Sequence, residues 1–188
     1  MENLSDNELF DNIKKDDASS LKILYEKYFE SLCHFSIQFV KSVDLAEEVV
    51  SDVFTNIWFK RKDIGIKMSI KSYLYSAVKN QSLNYIKSEE RLSGIFEKDS
   101  LQLVVYDRQP DEKVINQEIQ DKIESIIEEL PEKRGIIFRM NRIDGLSYKE
   151  IAEVLSISVN TVQNQMIKAI KYMSEQIPRI KKLFSIFF

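Results

Sequence analysis

The chain has 188 residues, 44% of them hydrophobic, and a net charge of −3. This length suits one ordinary domain or two small helical ones, and the apolar fraction excludes global disorder. With 4 Gly, 3 Pro and 1 Cys, few tight turns are available, and Cys33 has no partner for an internal disulfide. The opening residues are polar and acidic and do not read as a signal peptide. No apolar run nears the roughly 20 residues of a membrane span, so a cytoplasmic location is expected.

Apolar residues recur at three and four rather than two, which predicts an all-α fold. In chain order the pattern predicts helices over 5–15, 18–41, 43–62, 69–91, 111–129, 132–143, 147–155 and 159–176. The expected architecture is two small helical domains, 1–92 and 117–176, joined by a flexible linker over 93–116. A basic and then apolar tail, 177–188, follows. The C-terminal domain carries a helix-turn-helix.

In the second helix Cys33 and His34 are adjacent and each unique. Neighbours on a helix point about 100° apart, so they form no nucleophile–base pair, and two ligands fall short of a structural zinc site. Core packing is the expected role. No phosphate loop, metal-ligand cluster or nucleophile motif occurs, so no cofactor, metal, small-molecule substrate or enzymatic activity is expected.

Asp44 with Glu47 predicts a capping box at the start of the third helix. Its apolar face is Ala46, Val49, Val50, Val53, Phe54, Ile57 and Trp58. Opposite lie Glu48 and Asp52 at i, i+4, with Ser51, Thr55 and Phe59. Like charges at that spacing disfavour an isolated helix, which hints at docking of a basic partner; taken alone, a solvated acidic face is the plainer reading.

Positive charge is concentrated locally. Residues 60–91 hold eight basic against three acidic side chains, whereas 107–132 hold nine acidic against three basic. Screening acts over about 8 Å at physiological salt, so a basic block can meet nucleic acid on an acidic protein. Lys60, Arg61, Lys62 and Lys67 flank a loop at Gly65 suited to an extruded base. In the helix after it, Ile70, Leu74, Ala77, Val78 and Tyr85 form the expected buried stripe. Another face carries Tyr73, Ser76, Asn80, Asn84, Lys87 and Arg91: an aromatic to stack a base, amides to bond base edges, cations for phosphates. The alternative is a polar face turned to solvent.

The linker holds an apolar patch, Leu101, Leu103, Val104, Val105 and Tyr106, which fits either packing on a neighbouring domain or a channel- or partner-binding role. Beyond it, Pro131 suits the first turn of a helix and Gly145 suits a helix stop. Ser147 with Glu150 predicts a capping box for 147–155, where Ile151, Ala152 and Leu155 share a face. A turn over 156–158 leads into the last helix, with Ser156 where many such turns have Gly. Val162, Met166, Ala169, Ile170 and Met173 are expected in the core. Thr161, Asn164, Gln165, Lys168 and Lys171 face away from them, a composition suited to reading base edges in the major groove rather than to a plain solvated face. The tail fits packing on this domain or contact with a membrane surface or partner.

Taken in order, these segments resemble the extracytoplasmic-function sigma factors of the sigma-70 family. Leu24, Tyr25, Glu26, Lys27 and Tyr28, then Asp44, Leu45, Ala46, Glu47 and Glu48 with Asp52, Val53, Phe54 and Trp58, look like the polymerase-binding part. The stretches 72–80 and 84–87 are similar to the promoter-melting, minus-ten-reading helix. Leu130, Pro131, Glu132 and Lys133, with 145–152 and 159–162, look like the minus-thirty-five domain.

The resemblance implies docking of Glu48, Ser51, Asp52, Thr55 and Phe59 on the β′ clamp helices of core RNA polymerase, and contact of the C-terminal domain with the β flap. It implies minus-ten contacts from Tyr73, Ser76, Asn80, Asn84, Lys87 and Arg91, and minus-thirty-five contacts from Thr161 to Lys171. It also implies an anti-sigma factor, often membrane-bound. Tyr73 stands where the family often has Trp, and Gln165 where many members are basic, so a promoter sequence does not carry over. Two rival readings stay open: an autonomous helix-turn-helix regulator that needs no polymerase, and an interaction protein that mimics a sigma factor.

Overall fold

Short polar side chains set the helix starts by taking up the first orphan backbone N–H groups. The computed structural model describes the backbone of residues 4–93 and 122–187, and the side chains of 4–89 and 122–176. Helix α1, Asp6–Lys14, opens on a reciprocal box in which the Ser5 N–H donates to Glu8 Oε2 at 2.8 Å. Helix α2, Ala18–Val40, is capped by Asp17, whose Oδ1 accepts from the Ser19 N–H at 2.9 Å. Helix α3, Val43–Lys60, starts on Ser42, whose hydroxyl accepts from the Leu45 N–H at 3.4 Å. This corrects the expected box: Asp44 and Glu47 lie inside the helix, Asp44 in its first turn, where its charge still complements the helix dipole. Helix α4, Ile70–Ser93, follows Ser69, whose hydroxyl accepts from the Ser72 N–H at 3.1 Å.

Further along, α5 covers residues 122–128, α6 is Glu132–Arg142, α7 is Tyr148–Leu155 and α8 is Val159–Phe187. Pro131 sits one position before α6, with no side-chain cap, rather than in its first turn. Gly145 has φ 71°, the left-handed conformation that ends a helix at no steric cost. The Ser147–Glu150 box forms as expected, the Ser147 N–H donating to Glu150 Oε2 at 2.8 Å. Helix α8 runs past the expected end at 176 and through Pro178. A proline removes one ladder donor, but the glycine-free basic and apolar residues after it keep helical propensity. The linker patch 101–106, the expected start of a helix at 111 and the side chains of the tail lie outside the described residues.

The chain divides into two compact units, Met1–Tyr106 and Asp107–Phe188. In the first, α2 packs on α3 and α4, α3 packs on α4, and α1 covers α2 and α4. Their core joins Leu9 and Ile13, Leu24 and Leu32, Val49, Val50 and Ile57, and Ile70, Leu74, Tyr75 and Val78. The expected stripe of α4 is amended here. Tyr75 is buried, while Ala77 and Tyr85 are half-buried, because α4 meets both α2 and α3 and its packed face is rotated accordingly. Ser36 and Ser82 share a hydrogen bond of 2.9 Å in this core, which satisfies two hydroxyls that would otherwise be costly to bury. Cys33 is fully buried, and burial above all, then Glu47 and Glu30, pushes its thiol up to about 12. It is a packing residue, not a nucleophile.

In the second unit α6 and α7 pack on α8 and on each other. Ile137, Met140, Leu146, Ile151, Val162, Met166 and Ala169 form its core. Truncating a fully buried Leu, Ile or Met to Ala typically costs about 2–5 kcal/mol, so either unit is vulnerable to one such change. No described helix is long and apolar enough to cross a membrane.

Candidate nucleic-acid interface

Helix α7, the turn Ser156–Ser158 and the start of α8 form a helix-turn-helix. Ser156 closes α7 in the left-handed conformation, φ 58° and ψ 45°, its N–H bonded to the carbonyls of Ala152 and Glu153. The Ser158 hydroxyl then caps α8, accepting from the Thr161 N–H at 3.0 Å and bonding Thr161 Oγ1 at 2.8 Å. Ile151, Ala152 and Val154 are buried, with Leu155 only half-buried, so Val154 takes the place expected for Leu155. On α8 the packed stripe is narrower than expected. Val162, Met166 and Ala169 are buried, Met173 is half-buried, and Ile170 is 40% exposed, since it sits about 100° round the helix from Ala169.

The opposite face is open. Thr161, Asn164, Lys168 and Lys171 are exposed and Gln165 is half-buried. Gln165 Oε1 accepts a hydrogen bond from Arg134 Nε at 3.2 Å. A guanidinium from α6 thus stands beside the exposed polar face of α8, although the sequence pattern of α8 alone had no means of placing it. The Thr161 hydroxyl is engaged in the cap, which leaves its methyl as the group able to meet a thymine methyl.

In the first unit, Asn80, Asn84 and Lys87 form an exposed stripe on α4, with Tyr73 and Ser76 half-buried at its start. Partial burial raises the Tyr73 hydroxyl above its ordinary value. The side chain of Arg91 lies outside the described residues. The loop before α4 differs from expectation. Asp16, itself left-handed at φ 72°, accepts from Arg61 Nε at 2.6 Å and from Lys62 Nζ at 3.0 Å. These partners, Lys62 foremost and then Arg61, hold the Asp16 carboxyl below its ordinary value. The Arg61 guanidinium also stacks 4.2 Å from the centre of the half-buried Trp58 ring. Two of the four loop cations are therefore already paired within the unit, while Lys60 and Lys67 are exposed.

On the acidic face of α3 the carboxylates share donors from α4. The Tyr85 hydroxyl donates toward Glu48 Oε1 at 2.7 Å and Asp52 Oδ2 at 3.1 Å, and Gln81 Nε2 donates to Asp52 Oδ2 at 3.4 Å. Ser51, Thr55 and Glu48 are exposed, and Phe59 is 76% exposed at the end of the same helix.

Two family models match in the order of the two units: Sigma-70 region 2 over residues 24–92 and Sigma-70, region 4 over 120–173. The chain belongs to the sigma-70 family, in its extracytoplasmic-function group. Its relatives include the ECF RNA polymerase sigma-E factor of Escherichia coli (strain K12), 23% identical over 176 residues, covering 89% of this chain and 92% of that one. The ECF RNA polymerase sigma-E factor of Haemophilus influenzae is 21% identical over 184 residues, covering 94% and 97%. Among solved structures, CnrH in complex with the cytosolic domain of CnrY shares the fold at TM-score 0.57 and 16% identity, over 91% of this chain and 96% of that one. RpoE of Bartonella quintana, in complex with the anti-sigma factor NepR, does so at TM-score 0.58 and 16% identity, over 84% and 96%. The region 2 match spans the α3 cluster and the α4 stripe, and the region 4 match spans the helix-turn-helix. No group of three or more His, Cys, Asp or Glu side chains able to hold a metal occurs among the described residues.

Proposed function

We propose that this chain is an extracytoplasmic-function sigma factor that brings core RNA polymerase to specific promoters and starts transcription there. The observation that carries this reading is the order of its two modules, region 2 and then region 4, each with an exposed polar helix face. Residues 1–92 act as the polymerase-binding and minus-ten domain, 93–116 as the linker, and 117–176 as the minus-thirty-five domain. Glu48, Ser51, Asp52, Thr55 and Phe59 dock on the β′ clamp helices. Tyr73, Ser76, Asn80, Asn84, Lys87 and Arg91 meet the unwound minus-ten strand, while Thr161, Asn164, Gln165, Lys168 and Lys171 enter the minus-thirty-five groove and region 4 meets the β flap.

In this reading the protein catalyses no reaction itself, works in the cytoplasm and is held silent by an anti-sigma factor, the class of partner bound to the Bartonella neighbour. A net charge of −3 fits the division of labour, because polymerase supplies much of the DNA affinity. In vitro transcription with bacterial core polymerase and fragmented genomic DNA tests it. New transcripts with defined starts, dependent on the protein, are expected. No transcripts, with tight operator binding in the absence of polymerase, would identify an autonomous regulator instead.

A further inference from the structure

Glu48 and Asp52 sit one turn apart on α3, where two carboxylates repel each other and each samples many rotamers. Tyr85 changes both conditions. Its hydroxyl oxygen lies 2.7 Å from Glu48 Oε1 and 3.1 Å from Asp52 Oδ2, so its one proton serves both carboxylates, and the Gln81 amide adds a second donor to Asp52 Oδ2 at 3.4 Å. The donors engage one oxygen of each carboxylate. The other oxygen of each, Glu48 Oε2 and Asp52 Oδ1, keeps its capacity to accept from a cation. Contact with Glu48 above all, then burial and Asp52, raises the hydroxyl well above its ordinary value, so it remains a donor across the physiological range.

We propose that Tyr85, assisted by Gln81, is a positioning residue for polymerase docking: it holds Glu48 and Asp52 together as one pre-ordered acceptor for a basic group of the partner. This rests on the docking role given above to the two carboxylates. Ordering them before the encounter lowers the entropy lost on binding. The two donors come from α4, the helix that also carries Asn80 and Asn84, so the docking face is built on the strand-reading helix.

The test is a double-mutant cycle on core polymerase affinity, using the full chain. Tyr85→Phe keeps the ring and removes the hydroxyl; it is introduced into the native sequence and into a Glu48→Gln/Asp52→Asn background. A loss of about three- to tenfold is expected in the native background, the range of one hydrogen bond to a charged group, and little or none in the second. Wild-type binding with an equal loss in both backgrounds would assign Tyr85 to packing and overturn the proposal, as would no loss in either. Failure of the wild-type chain to bind core polymerase would sink the sigma-factor reading, and this proposal with it.

Discussion

The two units differ in how far their charged candidate groups are already bonded within the fold. On α8 Thr161, Asn164, Lys168 and Lys171 project from a packed helix into open space, and Gln165 alone among the candidates is bonded to another helix, through Arg134. In the first unit Asn80, Asn84 and Lys87 are exposed too, but Glu48 and Asp52 accept from the neutral Tyr85 hydroxyl, and Arg61 and Lys62 pair with Asp16. A rigid helix entering a groove needs only shape and exposed donors. On the proposed reading the first unit binds a protein and holds a single strand, and such a surface gains from pre-ordered charge. The difference predicts that the first unit responds to charge changes at the docking face, and the second to single base-reading side chains.

The largest effect is expected at the α3 cluster. Asp52→Lys places a cation where a basic partner is to dock and brings it beside the Tyr85 hydroxyl in place of an acceptor. Core polymerase affinity should fall by about 30-fold or more, the range for disrupting a close charge pair at an interface. Asn80→Ala, on the exposed stripe of α4, should leave that affinity within about twofold while reducing promoter opening, since it removes one amide from the strand-reading face. Polymerase titration and permanganate footprinting measure the two quantities separately. Loss of both from Asn80→Ala alone would erase the proposed division within the unit.

The second unit should divide differently. Asn164→Ala removes a potential bidentate reader and is expected to cost about 1–3 kcal/mol on the cognate minus-thirty-five element, with little change on random DNA. Lys168→Ala should weaken both alike and reduce the salt slope of binding by roughly one phosphate's worth. Holoenzyme binding to cognate and scrambled promoters, over a salt series, distinguishes them. Equal behaviour of the two variants would mean that α8 only follows the backbone.

What could be read from the sequence and what could not follows the range of the forces involved. Helix periodicity and the Ser147 box are local, so α7 and the turn before α8 were predictable from spacing. At the start of α3 the spacing of Asp44 and Glu47 matched a capping box, yet the chain turns at Ser42, two residues earlier. Phe59 was placed by its spacing on the face opposite the apolar stripe, and it is exposed there. Tyr85 was assigned to the core because its spacing fits the stripe of α4. Its contacts with residues 37 and 33 positions earlier exist only once α4 packs on α3. The Asp16 clamp on Arg61, 45 residues away, is of the same kind. Long-range polar pairs leave no periodic trace, and the bond from Arg134 to Gln165 in the second unit, 31 residues apart, was illegible for the same reason.

The smallest expected effect tests whether the second unit's open face depends on a strained turn. Ser156 is left-handed at φ 58°, a conformation that costs an L-residue about 1–2 kcal/mol and glycine almost nothing. Glycine also gains freedom in the unfolded chain, which offsets roughly half of that benefit. Ser156→Gly should therefore stabilise the unit by about 0.5–1 kcal/mol and raise its melting point by about 2–6 °C in calorimetry of the full chain. Minus-thirty-five affinity should stay unchanged, because Ser158 and not Ser156 caps α8 and orients Thr161. If affinity rose or fell with stability, the turn would be tuning the angle of α8 against α7, and the second unit would carry a built-in constraint comparable to the Tyr85 cluster of the first.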